Sequence, residues 1–192
     1  LPERYFTYHR EEEVILHLRM IHRLLETITE AESLGSLHPV VEWQDDLNLG
    51  LTVVNVVTWD RAGLFAKLAG AFALAGLSIV SSKALSRADH ITIDSFYVSE
   101  PEGGPVKRKD ALEIFRNHLA DTLLHNKDLL PEIENLAEKN KQSRYLRTDS
   151  TLPAPIPPSV EVYPELSLKR TIIEIETNDE LGLLSRLAHT IS

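Results

Sequence analysis

Apolar and polar positions alternate along the chain in a way that divides it into short strands and helices. Two runs rich in β-branched residues, LTVVNVVT at 51–58 and RTIIEIET at 170–177, are each followed by apolar residues at helical spacing. After the first run we predict a helix over 62–75 that ends at Gly76. LSIVSSKALS and ITIDSFYVSE then read as two further strands, and a second helix is expected from 106 to about 124. The resulting order, β-α-β-β-α, predicts an α+β, ferredoxin-like unit of the βαββαβ type that lacks one strand.

The strand–turn–helix pattern occurs twice, at a constant offset of 119 positions. Each copy carries Asp-x-x-Gly-Leu between its strand and its helix. The identical pairs are Thr52 and Thr171, Thr58 and Thr177, Asp60 and Asp179, Gly63 and Gly182, Leu64 and Leu183, Leu68 and Leu187, and Ala69 and Ala188. The second copy stops soon after its helix begins, so 170–192 is not expected to be stable alone. We expect it to pack on the first domain or on another chain, or to be continued by further chain.

The segment before the first copy predicts a helix over 10–33 and a hairpin. Apolar residues in the helix repeat in steps of 4, 3, 4 and 3, which predicts one seam that packs on the first sheet or on a neighbouring chain. VVEW at 40–43 and LTVVNVV at 51–57 are expected to form the hairpin. The seam consists of Val14, Leu18, Ile21, Leu25 and Ile28.

The position of the missing strand is left open by the pattern between the two copies. Residues 127–147 look helical and polar, and 148–158 contains four prolines, which favour an extended linker. VEVYPE then begins like a strand. The preferred interpretation makes 159–164 the closing strand of the first domain; the alternative makes it an extra edge strand of the second.

Charge and composition restrict the classes of partner. The net charge is −9 and no basic stripe is present, so neither nucleic acid nor an anionic membrane is an expected partner. The longest apolar run is far shorter than the ~20 residues of a membrane span, and no signal-peptide pattern opens the chain. There is no cysteine, which excludes disulfides and fits a reducing cytoplasm.

The turn at 60–64 has the chemistry of an anion site. Asp60 is expected to cap the following helix, whose remaining N–H groups and dipole favour a carboxylate such as that of an amino acid. Gly63 has no side chain, so a ligand can approach closely. The alternative is a capped turn with no ligand, because one Asp-x-x-Gly-Leu is a short motif.

Catalytic and metal-binding patterns are not found in the sequence. No Gly-Ser precedes paired aspartates of the nucleotidyltransferase type, and no His-Asp pair suits a metal phosphohydrolase. The eight histidines are scattered, and His118 with His125 on one helix face lacks a third ligand. We therefore expect neither catalysis nor a bound metal in this stretch of chain.

Longer stretches of the sequence resemble a known family. The two copies resemble ACT domains, ferredoxin-like modules that bind amino acids and regulate enzymes. DRAGLFAKLAGAFALAGLSI and IDSFYV resemble the first of two C-terminal ACT domains in the bifunctional [protein-PII] uridylyltransferase/uridylyl-removing enzyme family, and RTIIEIETNDELGLLSRLA resembles the start of the second. LPERYF and the helix after it resemble the segment that links the ACT pair to the family's hydrolase domain.

The resemblance implies a regulatory region that senses glutamine, with catalysis upstream and the PII signal protein as a partner of the parent enzyme. The parent enzyme would need Mg, whereas no cofactor is expected in this region. The resemblance also implies contact with a second ACT domain or another subunit, and a cytoplasmic location. Two alternatives are a structural or dimerisation module without a ligand site, and the regulatory tail of another enzyme.

The family resemblance also assigns candidate ligand residues. Ala62 stands where the family usually has Pro, Ser78 where Asn is frequent, and Glu180-Leu181 where Arg-Pro is usual. We expect weaker binding at the second turn because Glu180 would repel a carboxylate. The candidate ligand residues are Asp60, Arg61, Ala62, Gly63, Leu64 and Ser78, with Asp179, Glu180, Leu181, Gly182 and Leu183 as a second site.

The predicted division of the chain is an N-terminal helical linker at 1–37, a first ACT domain at 38–165 with an insertion and linker at about 125–158, and the start of a second ACT domain at 166–192.

Overall fold

A computed structural model describes residues 3–30, 38–146, 156–165 and 170–191 of the chain. Within these ranges the chain forms six helices and six strands, in an α+β arrangement. In chain order they are α1 (Glu3–Tyr8), α2 (Glu11–Glu30), β1 (Val40–Asp46), β2 (Leu51–Trp59), α3 (Leu64–Leu74), β3 (Ser78–Ser86), β4 (Ile91–Ser99), α4 (Ala111–Leu124), α5 (Leu130–Leu146), β5 (Ser159–Glu165), β6 (Arg170–Glu176) and α6 (Leu183–Ile191).

The first four strands form one antiparallel sheet in the order β1-β2-β4-β3. The predicted succession β2-α3-β3-β4-α4 and the hairpin β1-β2 are confirmed. Gly76 ends α3 as predicted: its φ is +70°, and Leu77 N–H bonds back to the Phe72 carbonyl at 3.0 Å.

The preferred position of the closing strand is wrong. β5 pairs along its whole length with β6, in a separate two-stranded sheet, as the alternative required. The edge beside β2 is occupied by β1, where every residue from Val40 to Asp46 has a partner on β2. The strand that completes this sheet therefore precedes the β-α-β-β-α unit instead of following it.

The internal repeat is longer than the sequence identities indicate. At the same offset of 119, β1 corresponds to β5, β2 to β6, and the start of α3 to the start of α6. Gly63 and Gly182 have matching left-handed conformations, with φ of +67° and +73°. The repeated unit is therefore a hairpin, a glycine turn and a helix.

One face of the four-stranded sheet packs against α3 and α4. At its centre the rings of Phe72 and Phe115 stack with centroids 4.2 Å apart, and Phe96 lies 4.9 Å from Phe72. This face is called the helix side below. Its fully buried members from the sheet are Val54, Val56, Phe96 and Val98, with Leu64, Leu68, Leu119 and Leu123 from the helices.

The other face of the sheet is covered by α2, so the prediction that this helix packs on the first sheet is confirmed. The buried face of α2, however, is rotated around the helix axis relative to the predicted apolar seam. His17, Met20 and Leu24 are fully buried, whereas Leu18 is 50% exposed. His17 is polar and so escaped an apolar pattern, but Tyr5 OH donates to its Nδ1 at 2.6 Å and its Nε2 donates to Asn55 Oδ1 at 2.9 Å.

The second copy rests on the first through its helix, which confirms the expectation that it leans on other structure. Ser185 on α6 donates from Oγ to the Ala66 carbonyl on α3 at 2.9 Å. Gly70 makes this approach feasible, because a Cβ there would lie 3.1 Å from both Ser185 Oγ and Ile133 Cδ1. The β5–β6 hairpin, in contrast, leaves four large apolar side chains exposed: Val160, Val162, Tyr163 and Ile173.

Candidate functional site

The turn between β2 and α3 is built around a left-handed glycine. β2 ends at Trp59, and Asp60 N–H bonds to the His90 carbonyl at 2.6 Å. Gly63 is the N-cap of α3, and Leu64 N–H bonds back to Arg61 at 3.1 Å. The expected cap by Asp60 is wrong, because the chain makes a turn through 61–63 before the helix begins and no side chain caps it.

The surface above Gly63 is open. A Cβ built at this position would have no atom of the chain within 4 Å, apart from its neighbours along the chain. Leu64 is buried and anchors the turn, whereas Asp60 and Ala62 are exposed. The turn thus presents to solvent its backbone, the acidic side chain of Asp60 and the small side chain of Ala62.

Arg61 does not add positive charge to this open surface. Its Nη1 donates to the carbonyl of Leu123, at the C-terminal end of α4, at 2.9 Å. The carbonyls at a helix C-terminus carry partial negative charge, so this is a favourable place for a cation. Burial lowers the pKa of Arg61, and its buried Nη2 has no hydrogen-bond partner in the described part of the chain.

Ser78 lies at the opposite end of the sheet from the turn. β4 separates β3 from β2, and along β4 the partner of Ser78 is Ser99 whereas the partner of Trp59 is Ile91. Eight positions of extended strand correspond to about 27 Å. Ser78, a candidate ligand residue, is therefore too far from the turn to contact the same ligand within one copy of the chain.

Two buried polar residues on the helix side of the sheet were not predicted from the sequence. Asp94 on β4 lies on the helix side and is only 4% exposed. Burial raises the pKa of its carboxyl to about 7; the negative charge of Asp60 adds to this, and bonds from Thr92 and the Leu85 N–H oppose it. Thr58, which pairs with Thr92 two positions before Asp94, has a buried hydroxyl with no partner among the described residues. An acid at an inward position of a strand, ITIDSFYV, was the available signal.

The second turn has the same backbone but a different environment. A Cβ at Gly182 would overlap Cγ2 of Ile133 on α5, and Leu181 packs against the helix-side core. Glu180 forms ion pairs with Lys141 at 3.1 Å and Arg186 at 3.0 Å. Weak binding is still expected at Asp179–Leu183, but for a different reason. The charge of Glu180 is paired, and α5 covers the surface over Gly182 that a ligand would need to approach.

The described ranges show neither a metal cluster nor a membrane-crossing helix. No group of three or more His, Cys, Asp or Glu side chains within them is placed to hold a metal ion. None of the described helices has both the length and the apolar composition needed to cross a bilayer.

Comparison with known proteins confirms the resemblance in sequence. The chain is 31% identical over 144 residues to a bifunctional uridylyltransferase/uridylyl-removing enzyme of Gluconobacter oxydans, a match to 74% of this chain and 14% of that protein. The enzyme of the same name from Phenylobacterium zucineum is 29% identical over all 192 residues and is covered for 18% of its length. That from Aromatoleum aromaticum is 26% identical over 98% of this chain and is covered for 20%.

The chain thus spans less than a quarter of the length of the curated relatives it matches. No family model and no solved structure matches it.

Proposed function

We propose that this chain is the amino-acid-sensing ACT region of a uridylyltransferase/uridylyl-removing enzyme and that it binds glutamine at the turn 60–64. The observation that carries the proposal is this open turn at the start of α3. The similarity over 74–100% of the chain to enzymes of that name supports the assignment to their regulation. Catalysis, its Mg requirement and contact with the PII protein belong to the parent enzyme in the cytoplasm.

The ligand carboxylate lies at the turn 62–64, against the backbone N–H groups of Ala62 and Gly63, since the Leu64 N–H is already bonded to the Arg61 carbonyl. These groups are at the positive end of an eleven-residue helix, which favours an anion by about 0.3–1 kcal/mol per charge at an exposed site. The absence of a side chain at Gly63 leaves room for the ligand's own backbone. The occluded second turn does not bind.

The position of the turn gives the ligand a route to the rest of the molecule. α3 carries the turn at its N-terminus, packs on α4 through Phe72 and Phe115, and carries α6 on its outer side through Ala66. A ligand that orders the start of α3 acts on both contacts. This is the coupling that a regulatory domain requires.

A charge substitution at Ala62 tests the site. Ala62→Glu places a carboxylate beside the proposed anion position, and we expect it to weaken glutamine binding at least about fivefold. Ala62→Gln, of matched size but neutral, is the control and should bind within about twofold of the parent chain. The measurement is a calorimetric titration of the whole chain with glutamine. Equal affinities for the two variants would place the carboxylate elsewhere.

The structural-module alternative is favoured by one observation, the close packing of α6 on α3 through Ser185. Under that alternative the repeat exists to hold the two copies together. A titration that shows no heat with glutamine or with any other amino acid, on folded protein, would favour it.

A further inference from the structure

A cleft opens where the β1–β2 hairpin meets the segment 106–112 that leads into α4, at the end of the sheet opposite the turn 60–64. Its volume is about 340 Å³, which is at the lower end of the range for small-molecule sites. Thr52 in its wall and Trp59 beside the turn are seven positions apart on β2, which corresponds to about 24 Å of extended strand. The cleft is therefore separate from the proposed glutamine site.

Positive charge is concentrated at this cleft, although the chain as a whole has a net charge of −9. Lys107, Arg108 and Lys109 form the one run of three consecutive basic residues in the sequence, and all three line the cleft. Arg108 is already engaged, because its Nε pairs with Glu100 at 3.0 Å and its Nη2 donates to the Ala75 carbonyl at 2.5 Å. Lys107 and Lys109 are exposed and form no ion pair in the described part of the chain, so both ammonium groups are free to meet an anion.

Two N–H donors without partners adjoin these lysines. No side chain caps α4, and the Leu112 N–H in its first turn has no hydrogen-bond partner within the described ranges. The indole Nε1 of Trp43 is buried and has no partner among the described residues either, which is unusual for a buried donor. Trp43 and Leu112 both line the cleft, so a ligand with several acceptor atoms would satisfy donors that the chain itself leaves unpaired.

The number of donors and their charge favour a phosphate group over a single carboxylate. A phosphate carries up to two negative charges and three terminal oxygens, so it can accept bonds from two ammonium groups and a helix N-terminus at once. A carboxylate offers one charge and two oxygens. Asp45, the one acid among the lining residues, accepts a bond from the Thr52 hydroxyl at 2.7 Å, and the three cations leave the cleft positive overall.

We propose that this cleft binds a phosphate-bearing small molecule, with Lys107 and Lys109 on the phosphate and Trp43 donating from its indole N–H. The ligand would also contact the core indirectly, because the Trp43 ring lies 5.7 Å from that of Phe115 and 6.3 Å from that of Phe72. Phe72 belongs to α3, which begins at the proposed glutamine site. The cleft itself does not depend on glutamine binding at the turn.

The test is a calorimetric titration of the whole chain with inorganic pyrophosphate at constant ionic strength, which separates a specific site from general attraction between charges. We expect saturable binding with a Kd below about 1 mM. Lys107→Gln and Lys109→Gln should each weaken it at least about fivefold. Lys139→Gln, at an exposed position of α5 that does not line the cleft, is the matched neutralisation control and should bind within about twofold of the parent chain.

Trp43→Phe tests the indole donor separately, because phenylalanine keeps an aromatic ring against Phe115 but has no N–H. It should weaken pyrophosphate binding about fivefold, with urea unfolding as the check on the fold. Should this variant fail to fold, the two surface lysine variants keep the test valid.

Citrate, a carboxylate of similar charge to pyrophosphate, separates the two chemistries and should bind at least about tenfold more weakly. Equal binding of citrate would overturn the assignment to phosphate. No saturation by pyrophosphate at about 10 mM, or equal affinities in the Lys109→Gln and Lys139→Gln proteins, would overturn the site itself. Neither result would bear on glutamine binding at the turn 60–64.

Discussion

At the scale of one residue, the buried carboxyl of Asp94 links folding to pH. Its pKa of about 7 lies above its unfolded value of 3.8, so the folded state holds a proton that the unfolded state releases between pH 4 and 7. Stability should fall over that range and stay low above it, by a few kcal/mol in total. Asp94→Asn should therefore be stabilising at pH 8 and nearly neutral at pH 4.5, measured by urea unfolding.

Asp89, five residues before Asp94 in the sequence, is the control, because its pKa is shifted in the opposite direction. Burial slightly raises the pKa of its carboxyl, but hydrogen bonds and charge from Arg87 lower it overall. Asp89→Asn should lose a little stability at pH 8 and nothing at low pH. A stability gain for Asp94→Asn that did not grow with pH would contradict the argument. A buried acid that costs stability is the kind of residue that a binding site retains.

At the scale of one element, α6 has one buried hydroxyl that bonds it directly to α3. Ser185→Ala removes the bond from Oγ to the Ala66 carbonyl and should destabilise the docking of α6 by about 1 kcal/mol. Thr190→Ala removes a bond of the same type, from Oγ1 to the Arg186 carbonyl, but within α6 and at the surface. Hydrogen exchange of α6 amides should speed up in the first variant far more than in the second.

The elements also show how much could be predicted from sequence. Periodicity located β2, α3, β3, β4 and the hairpin, because their apolar residues match a strand or helix period. It missed the buried face of α2. His17 lies at the centre of that face, but it is a polar residue that is buried because its ring is hydrogen-bonded, so an apolar pattern does not include it. It also missed the pairing of β5, since a strand's partner depends on which sheet edge another strand has already filled. Asp94 was read only as part of a strand, because an alternating pattern does not report which polar group is left uncompensated.

At the scale of the whole molecule, the two faces of the sheet should respond to pH in opposite directions. Burial lowers the pKa of His17 on the α2 side, although Asn55 and Glu13 oppose this and His9 and Lys83 add to it. The unfolded state therefore binds protons more readily, and His17 costs stability as pH falls below its usual 6.5. His17→Gln should remove this acid sensitivity, measured by urea unfolding at pH 5 and 7, whereas Asp94→Asn should leave it intact. Equal acid sensitivity in the parent chain and His17→Gln would contradict this.

The bond between Ser185 and Ala66 joins two positions that are equivalent in the repeat. A contact between equivalent positions is what a twofold axis places at its centre, so the two copies meet isologously, like the halves of a small homodimer fused in one chain. The turn at Gly63 begins α3, the helix that carries this contact, so a molecule bound there would set the angle at which the two halves meet.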